Sequence, residues 1–322
     1  NPTIGDDLEA ANGDRAFDKM HAELTSVWEE VDRVLVDGGI ACINIGNATR
    51  TLGGGFRVYQ NHARISTEFE QLGFQPLPEI LWRKPTNSGA KFMGSGMLPQ
   101  NAYPTLEHEY LLIFRNGKSN RSFEPGAETR YKSAYFWEER NRWFSDMWDD
   151  INGELQELAH EDLRDRSAAY PIEIPYRLIN MYSIYGDTVL DPFWGTGTTS
   201  LAAGVAGRSS IGCELDETFV QLFRDRVGQI PEISRQIIHK RLSDHAEFVR
   251  EYRSDGNSID HTADNYDIPV VTSQEESIQF YRVTEATPTE DGFKMEYESV
   301  DDVNLSDPPD HSTPRTTSLS EF

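Results

Sequence analysis

Between Thr188 and Thr199 the chain reads Thr-Val-Leu-Asp-Pro-Phe-Trp-Gly-Thr-Gly-Thr-Thr: a short apolar run ending in a carboxylate, a glycine turn, then hydroxyl residues suited to capping a helix. Glycines are needed where backbone passes close to a ligand or turns with positive φ. A second apolar run, Ser209–Cys213, is followed by Glu214, twenty-three residues after Asp191. In a βαβ unit an acid at that distance receives a ribose hydroxyl. The chemistry is that of holding a nucleoside. Phosphate binding fits poorly, because a P-loop needs Gly-Lys-Ser/Thr after its turn and no lysine is present here. Gly117-Lys118-Ser119 is no substitute, since Leu112 stands where its leading glycine should be. A dinucleotide fingerprint asks for a third glycine at position 200, which is Ser. What remains is an adenosine ligand without phosphates, set against the plainer reading of an ordinary glycine-rich strand-to-helix turn.

The elements that would position this turn follow an α/β pattern. Met20 to Val36 carries apolar residues at helical spacing, and Asp37-Gly38-Gly39 stops it before the continuous apolar strand Ile40–Ile45. A helix over Asn61–Leu72 ends at Gly73, and strand Glu79–Trp82 follows. A loop rich in Gly, Pro and Ser, Pro85 to Pro104, leads into strand Glu109–Arg115. From Asn116 to about Ala169 aromatic and charged residues interleave without clean periodicity, which reads as an insertion. The α/β pattern then resumes with helix Glu173–Ser183, strand Thr188–Asp191, helix Thr198–Ala206, strand Ser209–Cys213 and helix Glu217–Val227. A further helix spans about Glu232–Arg253, and a hairpin is expected from Ser277–Val283 and Gly292–Glu298. The division is thus 1–115, 116–169, 170–253 and an acidic extension, 254–322, whose end from Asp301 reads as disordered.

Fifty-four acids against thirty bases give a net charge of −24 in 322 residues. A basic surface is the usual mark of a nucleic-acid partner, so the total argues against one. The distribution is uneven. Residues 254–322 hold sixteen acids and three bases, whereas 83–142 hold ten bases and six acids. Only seven of the thirty bases are lysines. Abundant acid with scarce lysine resembles the cytosolic proteins of salt-loving archaea, where self-repulsion is screened; a solvated acidic surface with a disordered tail is the bland alternative. No apolar stretch approaches the roughly 20 residues that span a bilayer, and no signal peptide is visible. Cys42 and Cys213 each sit in an apolar run that reads as a buried strand. That fits a reducing cytoplasm rather than a disulfide framework, and no metal site is suggested.

Asp191-Pro192-Phe193-x-Gly195-x-Gly197-Thr198-Thr199 resembles the cofactor loop of amino-methylating DNA methyltransferases, which bind S-adenosyl-L-methionine. The resemblance implies that these residues and Glu214 line the cofactor site. Tyr170-Pro171-Ile172-Glu173, ahead of a helix, is similar to the family's motif at the methionine end of that site, with Tyr where Phe is usual. Ile80 to Pro85 and His108 to Phe114 look like the family's paired strands with their DNA-side loop. The late position of the cofactor loop resembles the permuted (beta-type) order: catalytic half, target-recognition region, cofactor half. This implies a Rossmann-like sheet carrying a target-recognition insertion at 116–169, with double-stranded DNA as partner. Similarity to archaeal cytosine-N4 enzymes places cytosine N4 ahead of adenine N6 and suggests a short palindrome such as CTAG, which nothing in the residues derives.

The same family uses an Asp/Asn/Ser-Pro-Pro-aromatic tetrapeptide to accept hydrogen bonds from the target amine of an extruded base. The chain opens Asn1-Pro2-Thr3, and the tetrapeptide is expected upstream of Asn1, leaving the catalytic residues unassigned. Asp307-Pro308-Pro309-Asp310, in the acidic tail and without the aromatic, is read as solvated chain. Arg83, Lys84 and Lys91 could reach phosphates, and Arg140, Arg142 and Trp143 bases or backbone. The rivals are an RNA or protein methyltransferase on the same fold, which would lack the long insertion, and a non-catalytic cofactor- or DNA-binding module. A cognate restriction endonuclease and the oligomeric state are left open.

Overall fold

The computed structural model describes residues 2–9, 12–84, 93–94, 99–100, 102–151, 170–289 and 292–301. The chain divides into two compact units, residues 1–122 with 145–152, and 123–144 with 153–322.

The first unit contains α1 (Pro2–Glu9), α2 (Gly13–Val34), β1 (Ile40–Ile45), β2 (Ala48–Leu52), β3 (Gly55–Tyr59), α3 (Asn61–Leu72), β4 (Gln75–Arg83), the short pair β5 (Met93–Gly94) and β6 (Ala102–Tyr103), β7 (His108–Arg115) and β8 (Met147–Trp148). Its sheet has the order β1-β7-β4-β8. β7 is antiparallel to both β1 and β4, and β8 is parallel to β4. The run Leu111–Phe114 is buried throughout because β7 lies between two strands with both faces covered. The apolar stripe of α2 and one face of α3 close over the sheet, joining Trp28, Ile65, Phe69 and Phe74 to Leu112 and Phe114. Phe69 stacks on Phe114 at 4.4 Å between centroids. Burying each such ring contributes about 1.5–3 kcal/mol.

Helix α2 starts at Gly13, ahead of the expected Met20, with the Asn12 side chain accepting from the Arg15 amide. Its first two turns are mostly polar, so periodicity alone does not announce them. β4 is longer than expected, with an irregularity between Leu77 and Ile80, where Pro78 lacks a donor. The β2–β3 hairpin is unexpected, although Gly53 and Gly54, at φ 58° and 83°, are a two-residue hairpin turn.

The second unit contains α4 (Glu128–Lys132), α5 (Trp137–Trp143), α6 (Glu173–Tyr182), β9 (Thr188–Asp191), α7 (Thr198–Val205), β10 (Ser209–Gly212), α8 (Glu217–Arg226), α9 (Ile230–Ser254), β11 (His261–Ala263), β12 (Ile268–Val270), β13 (Tyr281–Pro288) and β14 (Phe293–Ser299). β9 and β10 run parallel around α7, every residue of which is buried. One core joins α6, α7, α8 and α9 through Tyr176, Leu201, Val205, Phe223, Ile233 and Ile237.

The segment expected as one insertion, 116–169, is shared. Residues 145–152 belong to the first unit, where the Trp82 indole donates to the Ile151 carbonyl at 2.9 Å, and 123–144 belong to the second. Part of the acidic extension is core: Ala263, Val270, Ile278, Phe280 and Val300 are buried with Phe136 and Leu242. The hairpin forms as β13–β14 with its first strand later than expected, because Ile278 and Phe280 are buried in that core and precede it. The tail beyond 301 lies outside the described residues.

Candidate cofactor site

Parallel pairing sets Asp191 beside Gly212, so the turn leaving β9 lies next to the residues that leave β10. The Trp194 amide donates to the Cys213 carbonyl at 3.1 Å, and the Gly195 amide to Glu214 Oε2 at 2.8 Å. Glu214 Oε1 accepts from the Leu215 and Asp216 amides, each at 2.8 Å. The carboxylate is thereby fixed at the bend. Each of its oxygens has two lone pairs, and Oε2 accepts once from the protein, leaving it capacity for a hydroxyl. Cys213 itself is exposed and follows the strand instead of lying buried in it. Cys42, within β1, has its thiol pushed up to about 12 by burial.

Asp191 holds the other side of the turn. Its Oδ1 accepts from the Phe193 amide at 2.9 Å and its Oδ2 from Thr199 Oγ1 at 2.5 Å. That commits the single hydroxyl proton of Thr199, so Tyr170, whose phenol oxygen is 2.6 Å from the same Oγ1, is the donor of that pair. Burial, reinforced by the Asp191 charge and opposed by the bond to Thr199, pushes the Tyr170 phenol well above its ordinary value. It stays protonated. Pro171 is buried, and its carbonyl accepts from Ile174 as α6 begins.

The hydroxyl residues do not cap α7. Its N-cap is Gly197, at φ 79°, and no side chain caps it. A Cβ at Gly197 would stand 2.3 Å from the Phe223 ring, so both conformation and space require glycine. Thr198 is the first helical residue, buried, with its hydroxyl 3.5 Å from that of Thr196. Trp194 carries no sequence signal that singles it out, yet it packs the turn down. Its ring lies 4.9 Å from Phe223, a Cβ at Gly212 would meet it at 2.1 Å, and its indole nitrogen donates to Ser200 at 2.6 Å. Ser200 is the position that excluded the dinucleotide motif, and its hydroxyl supplies an acceptor that glycine lacks. Pro192 is partly buried, Phe193 is 53% exposed and Leu215 is fully exposed. A carboxylate with spare lone pairs and exposed apolar side chains along one turn fit an adenosine ligand.

The residues expected at DNA belong to different units. Arg83 and Lys84, at the end of β4, have exposed side chains; Lys84 pairs with Glu109 at 2.8 Å and Arg83 approaches Glu107 at 3.9 Å. Lys91 and the Asp307–Asp310 stretch lie outside the described residues. Arg140 and Arg142 project from α5, with Arg140 over the Phe144 ring and Arg142 4.0 Å from Asp244. Trp143 is only 2% exposed, below the Arg241 guanidinium, so its indole is a core group and its face is not offered to a base. Arg241 in turn donates to both oxygens of Glu139, at 2.6 Å each, and to the Tyr176 phenol oxygen at 3.1 Å. The charged residues of α5 face two ways: Glu139 is buried, whereas Arg140 and Arg142 are exposed. Among the described residues no group of three or more His, Cys, Asp or Glu could hold a metal ion, and no helix is long and apolar enough to cross a membrane.

The model of the N6/N4 methyltransferase family, described as DNA methylase, matches residues 3–225. The type II methyltransferase M.MthZI of Methanothermobacter thermautotrophicus is 51% identical over 283 residues, which are 87% of this chain and 78% of that protein. M.MjaI of Methanocaldococcus jannaschii is 54% identical over 212 residues, 66% of this chain and 69% of that protein. Among solved structures, TTHA0409 of Thermus thermophilus, assigned there as a DNA modification methylase and complexed with S-adenosyl-L-methionine, matches with TM-score 0.56 and 35% identity. The match covers 67% of this chain and 79% of that one, and it makes the α/β architecture that of S-adenosylmethionine-dependent DNA methyltransferases. With a family model spanning well over half its length and relatives half identical to it, the chain belongs to the N6/N4 family of DNA methylases.

Proposed function

We propose that the turn from Leu190 to Thr199 holds S-adenosyl-L-methionine for transfer of a methyl group to an exocyclic amino group of double-stranded DNA, at cytosine N4 ahead of adenine N6. The observation that carries this reading is the Glu214 carboxylate fixed against the Gly195 amide at 2.8 Å. Glu214 receives a ribose hydroxyl, while Phe193 and Leu215 offer apolar surface to the adenine. Asp191, held by Thr199 and through it by Tyr170, keeps the turn in one conformation and adds negative charge beside a cationic ligand. Pro192, Gly195, Gly197 and Thr198 shape the bend, and Pro171 sets the start of α6 at the methionine end. When bound, the cofactor supplies an electrophilic sulfonium methyl group. The chain's own work is positioning, which is most of what an in-line transfer requires.

Arg83, Lys84, Lys91, Arg140 and Arg142 are the proposed DNA contacts, residues 116–169 the target-recognition region, and CTAG the proposed site. No catalytic group is assigned within residues 1–322. The setting is a cytoplasm, salt-rich if the charge balance reflects adaptation, and a cognate restriction endonuclease is the natural partner of such an enzyme. A second reading, a cofactor-binding module without turnover, is favoured by one observation: the only Pro-Pro of the chain is Pro308-Pro309, with Asp310 in place of the aromatic.

Calorimetry of the chain with S-adenosyl-L-methionine, followed by incubation with labelled cofactor and a duplex containing CTAG, tests both readings. Saturable uptake with N4-methylcytosine in the digested duplex is the expected result. Uptake without transfer favours the module, N6-methyladenine moves the target, and absence of uptake by folded protein overturns the proposal.

A further inference from the structure

From Gly38 to Thr67 the chain contains no acid, although acids make up 54 of its 322 residues. Within those thirty residues lie Arg50, Arg57, Arg64 and His62. The middle of this stretch is the two-stranded ribbon β2–β3, which pairs with no other strand among the described residues. Arg50 and Arg57 are direct cross-strand partners, so their side chains leave the same face of the ribbon, and both are exposed. Like charges placed opposite each other are destabilising unless an anion lies between or beside them. Asp14 pairs with Arg57. Arg50 donates to the neighbouring Thr49 carbonyl at 2.9 Å and has no acidic partner among the described residues.

The ribbon is also well placed. Tyr110 of β7 pairs with Ile45 on one side and Leu81 on the other, so β1 and β4 run out at the same end of the sheet, β4 two residues further than β1. The ribbon starts at that end, three residues after Ile45, and Arg83, paired with His108, and Lys84 stand where β4 finishes. Carboxyl ends of strands are where α/β sheets take their ligands. Phe56 of the ribbon stacks on Tyr103, in the connection that follows Lys84, at 4.7 Å and 5°. Glycines 53 and 54 keep the tip thin, and a two-stranded ribbon has dimensions that the major groove of duplex DNA admits.

We infer that the β2–β3 ribbon is a DNA contact, with Arg50 and Arg57 reaching phosphates of the duplex. This inference rests on the DNA-methylating reading. The test is duplex binding by Arg50→Ala/Arg57→Ala across a salt series, with cofactor uptake and melting temperature measured on the same material. Loss of two phosphate contacts lowers the slope of log K against log salt by about 2 and weakens binding roughly 10- to 100-fold at low salt. Arg50→Lys/Arg57→Lys restores most of it, because a phosphate accepts either cation. Arg50→Gln/Arg57→Gln keeps the ribbon's polarity should the alanine variant fold poorly. Duplex binding by the folded double variants with unchanged slope and affinity overturns the ribbon's role alone. If the unaltered chain binds no duplex at all, the DNA-methylating reading falls and the ribbon's role with it.

Discussion

Glu214 is satisfied three times over by backbone amides, and that is what makes it informative. A carboxylate so held cannot swing away when a ligand is absent, so under the proposed function its acceptor is preorganised. Glu214→Gln removes the charge and turns one acceptor into a donor facing an amide. We expect it to weaken S-adenosyl-L-methionine uptake about 10- to 100-fold in calorimetry, the scale of one charge-assisted hydrogen bond. Gly197→Ala is expected to be worse for the fold than for chemistry. A Cβ there meets Phe223 at 2.3 Å in a left-handed turn, which costs about 2 kcal/mol or more and lowers the denaturant midpoint. An alanine variant with unchanged midpoint would mean that the turn is not built as described.

Helix α9 organises the second unit through two buried polar residues. Breaking the Arg241–Glu139 pair with Arg241→Met leaves a buried carboxylate unpaired, and we expect a loss of about 3–5 kcal/mol in denaturant unfolding. The double change Arg241→Met/Glu139→Leu should recover much of it. His245 lies under the Phe136 ring at 3.8 Å, with Glu138 at 2.9 Å from Nδ1 and the Pro269 carbonyl at 2.9 Å from Nε2. Both partners are acceptors, so both ring nitrogens donate and the ring is imidazolium. Burial opposes that charge more than any single partner favours it, but the bond and charge of Glu138, the Pro269 carbonyl and the Glu275 charge together raise the pKa above its ordinary 6.5. A raised folded value means the contribution is complete below 6.5 and is lost as pH climbs through the higher value. The melting temperature should therefore decline as pH climbs above 6.5, and His245→Gln should flatten that decline. An unchanged slope in the variant would remove His245 from the account.

A net charge of −24 sets the behaviour of the whole chain toward salt. Raising monovalent salt from about 0.1 M to 1 M shortens the Debye length from about 10 Å to 3 Å, so self-repulsion among acids fades. Thermal stability is expected to rise over that range, measured as the melting temperature of the chain alone. DNA binding moves the opposite way, because each phosphate contact is weakened by salt. The two trends together define a window in which the protein is both folded and able to bind. A melting temperature that falls with salt would show that surface ion pairs outweigh the net repulsion.

The local backbone of the candidate site is readable from residue types and spacing. The strand, glycine turn and helix from Thr188 to Val205 are specified by neighbours close in the chain, through period, φ preference and the absence of a phosphate-binding lysine. Residue types and spacing specify that turn, the acid that follows it at Glu214, and the apolar strands Ile40–Ile45 and Glu109–Arg115. They could not decide burial, which depends on partners far away. Arg241 and Glu139 are 102 residues apart, and only their meeting turns Trp143 from a candidate base contact into core. The same reason explains the acidic residues after 254, whose scattered apolar positions acquire meaning only when Ala263, Val270, Phe280 and Val300 close around Phe136. Tertiary structure alone decided that the hydroxyl of Thr199 belongs to Asp191 rather than to a helix cap, because the left-handed turn at Gly197 had already taken the capping position.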